Sequence, residues 1–342
     1  MKVCLYNGSL RLIQKSGVGQ ALLHQRAMLQ SAGIITTARM THDTDIVHIN
    51  TVFPDSFFMA LYAKAFGIRV VYYGHSTMED FKNSFRGSNF FAPFFRLWIK
   101  CCYNLGDLII TPTEYSKELL KGYKIKKPMI ALSNGIDTNF FHKSEAFRIR
   151  FRKKYGLKPE EQAVLSVGHY IERKGILDFI DLAREMPKAR FFWFGYTNLN
   201  LIPKRIRMAI QDAPENLTFP GYVGREELRD AYCGCDLFDF MSYEETEGIV
   251  VLEALACEIK AVVRDIPVYA SWLTDGKDIY KAKNKNDFAF LTKAILSKTI
   301  PDLSVAGRLT AEEHSIEKIG SSLMDAYHVL PAGKKPLEFL AE

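Results

Sequence analysis

A unit of strand, glycine-containing loop and helix occurs twice along the chain, and this repetition limits the folds that the sequence can adopt. Residues 1–8 are an apolar strand that leads through a loop with Gly17 into an amphipathic helix. Residues 163–168 are a second such strand, followed by a loop that ends at Gly175 and by another helix. Strands that alternate with helices form parallel sheets covered on both faces. The sequence therefore predicts an α/β protein with two doubly wound domains, and 342 residues are enough for two cores.

The boundary between the two domains is predicted at residues 143–158, a polar and strongly basic stretch that precedes a proline. This assigns residues 1–158 to the first domain and residues 159–314 to the second. An amphipathic helix at about 315–330 is expected to pack back near the first domain. The strand ends of the two domains are expected to face one another across a cleft.

Composition excludes several classes of protein. The hydrophobic and charged fractions, 48% and 25%, are typical of soluble globular proteins. No apolar run reaches the roughly 18 residues that a membrane-spanning helix needs, and the first residues read as a buried strand, not as a secretion signal. The six cysteines show no metal-binding spacing, which indicates reduced thiols. We therefore expect a cytoplasmic protein.

Neither a metal nor a cofactor is expected. The only Asp-x-Asp, formed by Asp43 and Asp45, reads as a turn before a strand. The Gly-x-Gly of Gly17 and Gly19 lacks the third glycine of the dinucleotide-binding motif, which argues against a nicotinamide cofactor.

The first half of the chain is basic and rich in aromatic residues. Residues 1–158 contain 23 Lys and Arg against 10 Asp and Glu, and the remainder contains 22 against 29. Residues 81–103 interleave aromatic and basic side chains, which is typical of an interfacial membrane helix, although a core helix would explain some of the rings. No nucleic-acid recognition motif is present, so an anionic membrane surface is the predicted partner. The predicted membrane-contact residues are Phe90, Phe91, Phe94, Phe95, Arg96 and Trp98.

The acidic stretch 242–256 joins a glycine-ended loop to the start of a helix. Backbone N–H groups near Gly248 and Ile249 suit phosphate, because the first turn of a helix leaves them unpaired. Glu245 and Glu253 would repel phosphate, but carboxylates accept hydrogen bonds from sugar hydroxyls. The combination indicates a nucleotide-sugar site. An ordinary strand–loop–helix junction with solvated acids is the alternative that spacing leaves open.

Other polar residues follow predicted strand ends, where ligands bind in open α/β sheets. His48 and Asn50 end one strand, and His75 ends the next. A histidine at a strand end is also often structural. Arg173 and Lys174 lie in the loop after strand 163–168, where two cations can neutralise a diphosphate.

These motifs together resemble the GT4 family of retaining glycosyltransferases, whose GT-B fold has two Rossmann-like domains. The family's Glu-x7-Glu motif matches Glu245 and Glu253, and an apolar helix follows it as in the family. The other matches, in family order, are Gly17-Val18-Gly19, His75, Asn134-Gly135-Ile136-Asp137 and Arg173-Lys174-Gly175. On residues 15–19, 75–85 and 244–249, the chain more narrowly resembles bacterial diglycosyl-diacylglycerol synthases, which make the glycolipid anchor of lipoteichoic acid.

The resemblance implies catalytic roles for two residues. Glu245 would contact the transferred hexose, and His75 would lie near the reaction centre. The implied donor-binding residues are Gly17, Arg173, Lys174, Gly248, Ile249 and Glu253. Retention in this family is ascribed to front-face substitution, so no covalent nucleophile is expected.

The implied activity is transfer of a hexose from a UDP-sugar to a monoglycosyl-diacylglycerol at the inner face of the cell membrane. UDP-glucose and UDP-galactose are both candidate donors. The alternatives are a GT4 enzyme acting on a polyprenyl-linked or soluble saccharide, and a non-catalytic lipid- or sugar-binding protein. Two positions depart from the family pattern. His169 stands where arginine is usual, and Glu247 adds a carboxylate in the segment Thr246-Glu247-Gly248, where Gly-Phe-Gly is common.

Overall fold

The structure is a computed structural model that describes residues 1–9, 17–82, 84 and 87–330. The chain forms two compact units. Of the described residues, the first unit comprises those within 1–81 and 90–135 and those from His314 to 330, and the second comprises those within 82–89 and 136–313. Each unit contains one parallel six-stranded sheet with helices. The α/β class predicted from the repeated strand–loop–helix unit is therefore confirmed.

In the first unit the strand order is β2-β1-β3-β4-β5-β6, and all neighbours are parallel. Its elements, in chain order, are β1 Lys2–Tyr6, α1 Gly17–Ser31, β2 Ile35–Thr37, β3 Ile46–Ile49, α2 Pro54–Ala65, β4 Arg69–Tyr73, α3 Met78–Phe81, α4 Ser88–Tyr103, β5 Leu108–Thr111, α5 Glu114–Gly122 and β6 Met129–Ala131, with the C-terminal helix described below.

Side chains of this sheet alternate between two cores, because successive residues of a strand point to opposite faces. Val71 and Tyr73 of β4 pack in one core with α1, whereas Val70 and Tyr72 pack in the other with α2 and α4. Strands buried on both faces read as continuous apolar runs, which explains why the sequence pattern located them.

The second unit has the strand order β12-β11-β10-β7-β8-β9, again entirely parallel. Its elements are α6 Glu145–Lys154, β7 Ala163–Val167, α7 Ile176–Glu185, β8 Arg190–Phe194, α8 Lys204–Gln211, β9 Leu217–Gly221, α9 Arg225–Gly234, β10 Leu237–Phe240, α10 Ile249–Ala256, β11 Ala261–Arg264, β12 Tyr280–Ala282, α11 Lys285–Leu296 and α12 Ser304–Glu313. The last helix of the described chain is α13, Ile316–His328, in the first unit.

The structural boundary lies between residues 135 and 136, before the position predicted at 158. The basic stretch after it is not a linker, because α6 packs against α9. Phe151 of α6 is 1% exposed, and Arg150 forms a two-pronged ion pair with Asp230 of α9. Residues 136–158 therefore belong to the second unit.

Helix α13 returns to the first unit and packs on α1. Its apolar residues Ile316, Leu323 and Tyr327 join the core on the α1 side of the sheet. Gly320 allows close packing, since a Cβ there would lie 3.3 Å from the Met28 side chain.

Among the residues that the structure describes, no helix is both long and apolar enough to cross a membrane. All six cysteines are free, and only Cys101 is exposed.

Candidate active site

In the second unit, the strand order reverses between β7 and β10, which are hydrogen-bonded neighbours. Ligands of open α/β sheets bind at such a reversal, beyond the carboxyl ends of the two strands. The loops that follow these strands are residues 168–175 and 241–248, and they contain three of the six predicted donor-binding residues, Arg173, Lys174 and Gly248, together with Glu245.

One backbone and one side-chain hydrogen bond join these two loops. The Tyr243 N–H donates to the Arg173 carbonyl at 2.8 Å, and the Arg173 guanidinium donates to the Glu244 carbonyl at 2.6 Å. Gly175 has φ +77°, and a Cβ there would lie 2.3 Å from the Met241 carbonyl oxygen. Because only glycine tolerates this conformation and this approach, Gly175 sets the spacing of the two loops.

Lys174 and Glu245 form an ion pair across this junction. The Nζ–Oε1 distance is 2.5 Å, and the side chains are 15% and 8% exposed. Burial raises the pKa of Glu245, but the positive charges of Lys174 and Arg173 outweigh burial and hold the pKa below its usual value. An ammonium has three N–H donors, and Glu245 takes one. The pair thus combines an ionised acceptor with a cation that has donors left for a ligand.

The N-terminus of α10 lies at the end of the acidic loop. Gly248 caps it with φ +88° and has no side chain, so the cap residue supplies no side-chain acceptor to the first N–H groups of the helix. This arrangement favours an anion. Glu247 is 3% exposed. Burial raises the pKa of Tyr269, and the charges of Glu245 and Glu247 raise it further.

Glu253 lies on the buried side of α10 and accepts a hydrogen bond from the Tyr232 hydroxyl at 3.0 Å. Burial raises the pKa of Glu253 to about 7, although the hydrogen bond from Tyr232 and the charge of Arg225 lower it. The structure therefore places Glu253 beside α9, whereas Glu245 lies beside Lys174.

Arg264 and Asp178, which the sequence analysis did not single out, hold the acidic loop in place through Tyr243. Arg264, at the end of β11, donates to Asp178 of α7 at 2.6 Å, and the Tyr243 hydroxyl donates to the same carboxylate at 2.6 Å. The Arg264 guanidinium also lies 3.8 Å from the centroid of the Tyr243 ring. The sequence carried a signal for Arg264, because an arginine that directly follows apolar strand residues is buried only when it has a partner.

The first unit brings three predicted polar residues to the ends of β3 and β4. The His75 ring stacks on Tyr73 with a centroid distance of 4.6 Å, and its Nε2 lies 3.0 Å from Asn50 Oδ1. Gln25 of α1, which was not predicted, donates to the same Oδ1 at 2.9 Å. Burial lowers the pKa of His75 to about 3, so the imidazole is neutral. His48 bonds instead to the Tyr327 hydroxyl of α13.

Gly17 is the first residue of α1 and is exposed. Val18 and Gly19 continue α1, and Gly19 is buried. Lys15 and Ser16 lie outside the described residues. Two residues of the segment 75–85, at positions 83 and 85, and the adjacent position 86 also lie outside them.

The predicted membrane helix divides into outward and inward residues. On α4, Phe90 and Phe94 are 72% and 66% exposed, and Phe91 is also exposed. Arg96 is exposed, with a hydrogen bond to the Gly122 carbonyl at 2.8 Å.

Phe95 and Trp98, which were also predicted to contact the membrane, are only partly exposed. The Phe95 ring stacks on Phe81 at 4.1 Å. The Trp98 indole donates to the Val52 carbonyl at 2.6 Å and packs on Phe57 of α2 at 5.2 Å. An aromatic run over several helical turns must turn some rings towards the sheet, and these two are among them, with the fully buried Tyr103.

Helix α2 adds an exposed apolar stripe that the sequence did not reveal. Phe58, Leu61, Tyr62 and Phe66 are all exposed and recur at helical spacing. The Phe57–Trp98 contact joins α2 to α4. We call the exposed apolar residues of the two helices the aromatic face; its members are Phe58, Leu61, Tyr62, Phe66, Phe90, Phe91, Phe94 and Leu97. Patches of this kind mark interaction sites.

Within the described part of the chain, no group of three or more His, Cys, Asp or Glu side chains is arranged to hold a metal ion.

Family comparisons cover both units. The model for Glycosyltransferase Family 4 matches residues 19–140, and the model for Glycosyl transferases group 1 matches residues 147–304. A processive diacylglycerol alpha-glucosyltransferase from Acholeplasma laidlawii is 40% identical over 96% of this chain and 98% of its own. An alpha-galactosylglucosyldiacylglycerol synthase from Streptococcus pneumoniae is 25% identical over 90% of this chain and 82% of its own.

A solved structure shows the same fold along nearly the whole chain. The Anabaena protein HepE, in complex with UDP-glucose, superposes with a TM-score of 0.78 over 96% of this chain and 100% of its own, at 14% identity. Both sheets, both family models and the 40% relative lead to one conclusion. The chain belongs to glycosyltransferase family 4, with two Rossmann-like α/β domains of the GT-B fold.

Proposed function

We propose that this glycosyltransferase moves a hexose from a UDP-sugar to a glycosylated diacylglycerol at the cytoplasmic surface of the membrane, with retention of configuration and without a metal. The observation that carries the proposal is the likeness, along 96% of the chain, to an enzyme named for diacylglycerol glucosylation. The synthase from Streptococcus pneumoniae, whose name specifies a glycosylated diacylglycerol, supports it.

The donor half of the proposal rests on the junction after β7 and β10. Arg173 and Lys174 supply two positive charges there, and the uncapped start of α10 at Gly248 supplies backbone N–H groups. A diphosphate suits both. Glu245 is ionised and can only accept hydrogen bonds, which suits the hydroxyls of the transferred hexose. Glu253 would accept hydrogen bonds from the ribose.

The chemistry follows from where charge develops. As the bond between the sugar and the phosphate breaks, the sugar gains oxocarbenium character and the leaving diphosphate becomes more negative. Arg173 and Lys174 therefore stabilise the leaving group more strongly in the transition state than in the ground state. These fixed cations can supply the charge that a metal would otherwise provide, and the reaction needs no covalent nucleophile from the protein.

Retention agrees with the names of the relatives. UDP-hexoses carry the sugar in an α linkage, and the two relatives are named for α products. A product with the same anomeric configuration as the donor is a retained one.

The acceptor half of the proposal rests on the aromatic face of the first unit. Exposed aromatic rings insert at the boundary between headgroups and acyl chains, and each buried ring contributes about 1.5–3 kcal/mol. The neighbouring exposed cations Arg96, Lys124 and Lys126 suit anionic lipid. We propose that this face holds the protein on the membrane that contains its acceptor.

The test offers competing acceptors to the purified protein. Vesicles that contain diacylglycerol or glucosyl-diacylglycerol, and a soluble saccharide, are each incubated with UDP-glucose and with UDP-galactose. We expect a gain of hexose only on the lipids, measured by mass spectrometry of the extracts. Diacylglycerol itself is included because the relative from Acholeplasma laidlawii is named as processive. Transfer to the soluble saccharide alone would contradict the proposed acceptor.

A further inference from the structure

The His75 ring is fixed in two independent ways inside the first unit. Its face stacks on Tyr73, with an interplanar angle of 10°. Its edge is fixed by Asn50, whose Oδ1 lies 3.0 Å from Nε2. Stacking still permits a half-turn of the ring about the Cβ–Cγ bond, and the bond from Nε2 to Asn50 selects one of the two orientations. A residue held this tightly presents one defined atom to a substrate.

The hydrogen-bond inventory determines which atom that is. Asn50 Oδ1 already accepts a hydrogen bond from Gln25 Nε2 at 2.9 Å. An amide oxygen has no proton to give, so the imidazole nitrogen that faces it must carry one. With the Asn50 and Gln25 amides in this orientation, His75 carries its proton on Nε2 and is bare on Nδ1.

We propose that Asn50, oriented by Gln25, is a positioning residue that holds His75 in the Nε2–H tautomer, so that Nδ1 accepts a hydrogen bond from a sugar hydroxyl during transfer. The identity of that hydroxyl rests on the proposed function, whereas the tautomer does not.

Two further observations support the proposal. Among the residues that the structure describes, Nδ1 of His75 has no hydrogen-bond partner, and the residue is 7% exposed. Burial also lowers the pKa of His75 to about 3, which keeps the ring neutral and its Nδ1 lone pair available at neutral pH.

The direct test is nuclear magnetic resonance of the full-length protein with ¹⁵N-labelled histidine. The chain has eight histidines, and the variant His75→Gln identifies the His75 signals by their loss. At neutral pH we expect Nε2 to resonate as a protonated nitrogen and Nδ1 as a bare one. A protonated Nδ1 in the wild-type protein would overturn the proposal, whatever the enzyme's substrate proves to be.

Variants then connect the tautomer to catalysis. Asn50→Leu removes the acceptor and Gln25→Met removes the group that orients it. We expect both to give a mixture of tautomers and to lower kcat by about tenfold or more, with the KM for the donor changed much less. Gln25→Met also serves if Asn50→Leu does not fold.

Tyr327→Phe is the matched control, because it removes a hydroxyl from the same buried cluster that bonds to His48 and not to His75. We expect it to leave the His75 tautomer unchanged. Asn50→Leu or Gln25→Met could instead lower stability, as Tyr327→Phe does, and leave the ratio of His75 tautomers unchanged. In that case Asn50 has only a structural role and the proposal is wrong.

Discussion

The Lys174–Glu245 pair makes the sharpest prediction for stability. Glu245→Gln keeps the shape of the side chain but leaves the Lys174 ammonium without its carboxylate and beside Arg173. Removing one partner of a buried ion pair costs about 3–5 kcal/mol. Because the two side chains retain 15% and 8% exposure, we expect about 3 kcal/mol. Lys174→Met should cost about 2 kcal/mol, since Arg173 still compensates part of the Glu245 charge.

The double variant separates stability from activity. With both charges removed, no buried charge is left unpaired, so we expect the two losses to be non-additive by about 2 kcal/mol. Activity should not recover. Each substitution removes a group proposed to contact the donor, and we expect kcat to fall about 10²–10³-fold in both single variants and in the double variant.

Urea unfolding followed by tryptophan fluorescence measures the first effect, because Trp193 is fully buried in the second unit. The control is Lys121→Met, which breaks an ion pair whose side chains are 51% and 63% exposed. It should change stability by less than about 1 kcal/mol. Additive losses in the double variant would refute a buried, interacting pair.

The pair also predicts a dependence on pH. The pKa of Glu245 is lower in the folded protein than its usual value, so the carboxylate stabilises the fold above about pH 4.3. That contribution should be lost as the pH falls through the folded-state pKa. In Glu245→Gln the corresponding part of the acid transition should be absent.

Three other predictions concern separate features. Gly175→Ala should lower the free energy of unfolding in urea by about 3 kcal/mol, and Gly221→Ala should lower it by about 1 kcal/mol. Both glycines have positive φ, but only Gly175 has a backbone atom 2.3 Å from the added Cβ. Equal losses of stability would contradict the close approach. Burial raises the pKa of Glu253 to about 7, so ionisation costs the wild-type protein stability as the pH rises from about 4.3 to about 7. Glu253→Gln should remove that decline, about 4 kcal/mol, and should raise the KM for the donor; an unchanged pH profile would contradict the burial argument. Phe90→Ser should weaken sedimentation with anionic vesicles about tenfold, whereas Ile149→Ser, an exposed control in the second unit, should not; equal effects would argue against a specific face.

Local patterns predicted the fold well because burial on both faces leaves a continuous apolar run. The strands that begin near residues 1 and 163 were located by such runs. Gly175 was recognised as the end of the loop that follows the second strand. The domain boundary differed because α6 is basic on its surface, which resembles a linker in composition. Its packing depends on Phe151 and on the Arg150–Asp230 ion pair, and residues 80 positions apart in the chain leave no local signal.

The candidate site was predictable where it lies at strand ends. His75, Asn50, Lys174 and Glu245 all follow predicted strands, but the contacts that join them depend on the sheet order. Gln25 was missed because a buried glutamine on a helix has no sequence signal of its own.

The membrane prediction remains untested, and the sequence could not show which of its rings are exposed. Aromatic residues recur on several sides of α4, so the pattern did not show that Phe95 and Trp98 are partly buried. The exposed apolar stripe of α2, which begins at Phe58, was not predicted because apolar residues at helical spacing normally face a core.

The anomeric configuration of the lipid product tests the central claim most directly. Wild-type protein, UDP-hexose and vesicles with glucosyl-diacylglycerol are incubated, and the extracted lipid is examined by proton magnetic resonance and mass spectrometry. We predict one or more additional hexoses in α linkage, and none when Glu245→Gln replaces the wild-type protein. A β-linked product, or lipid that stays unchanged with every UDP-hexose, would contradict the account.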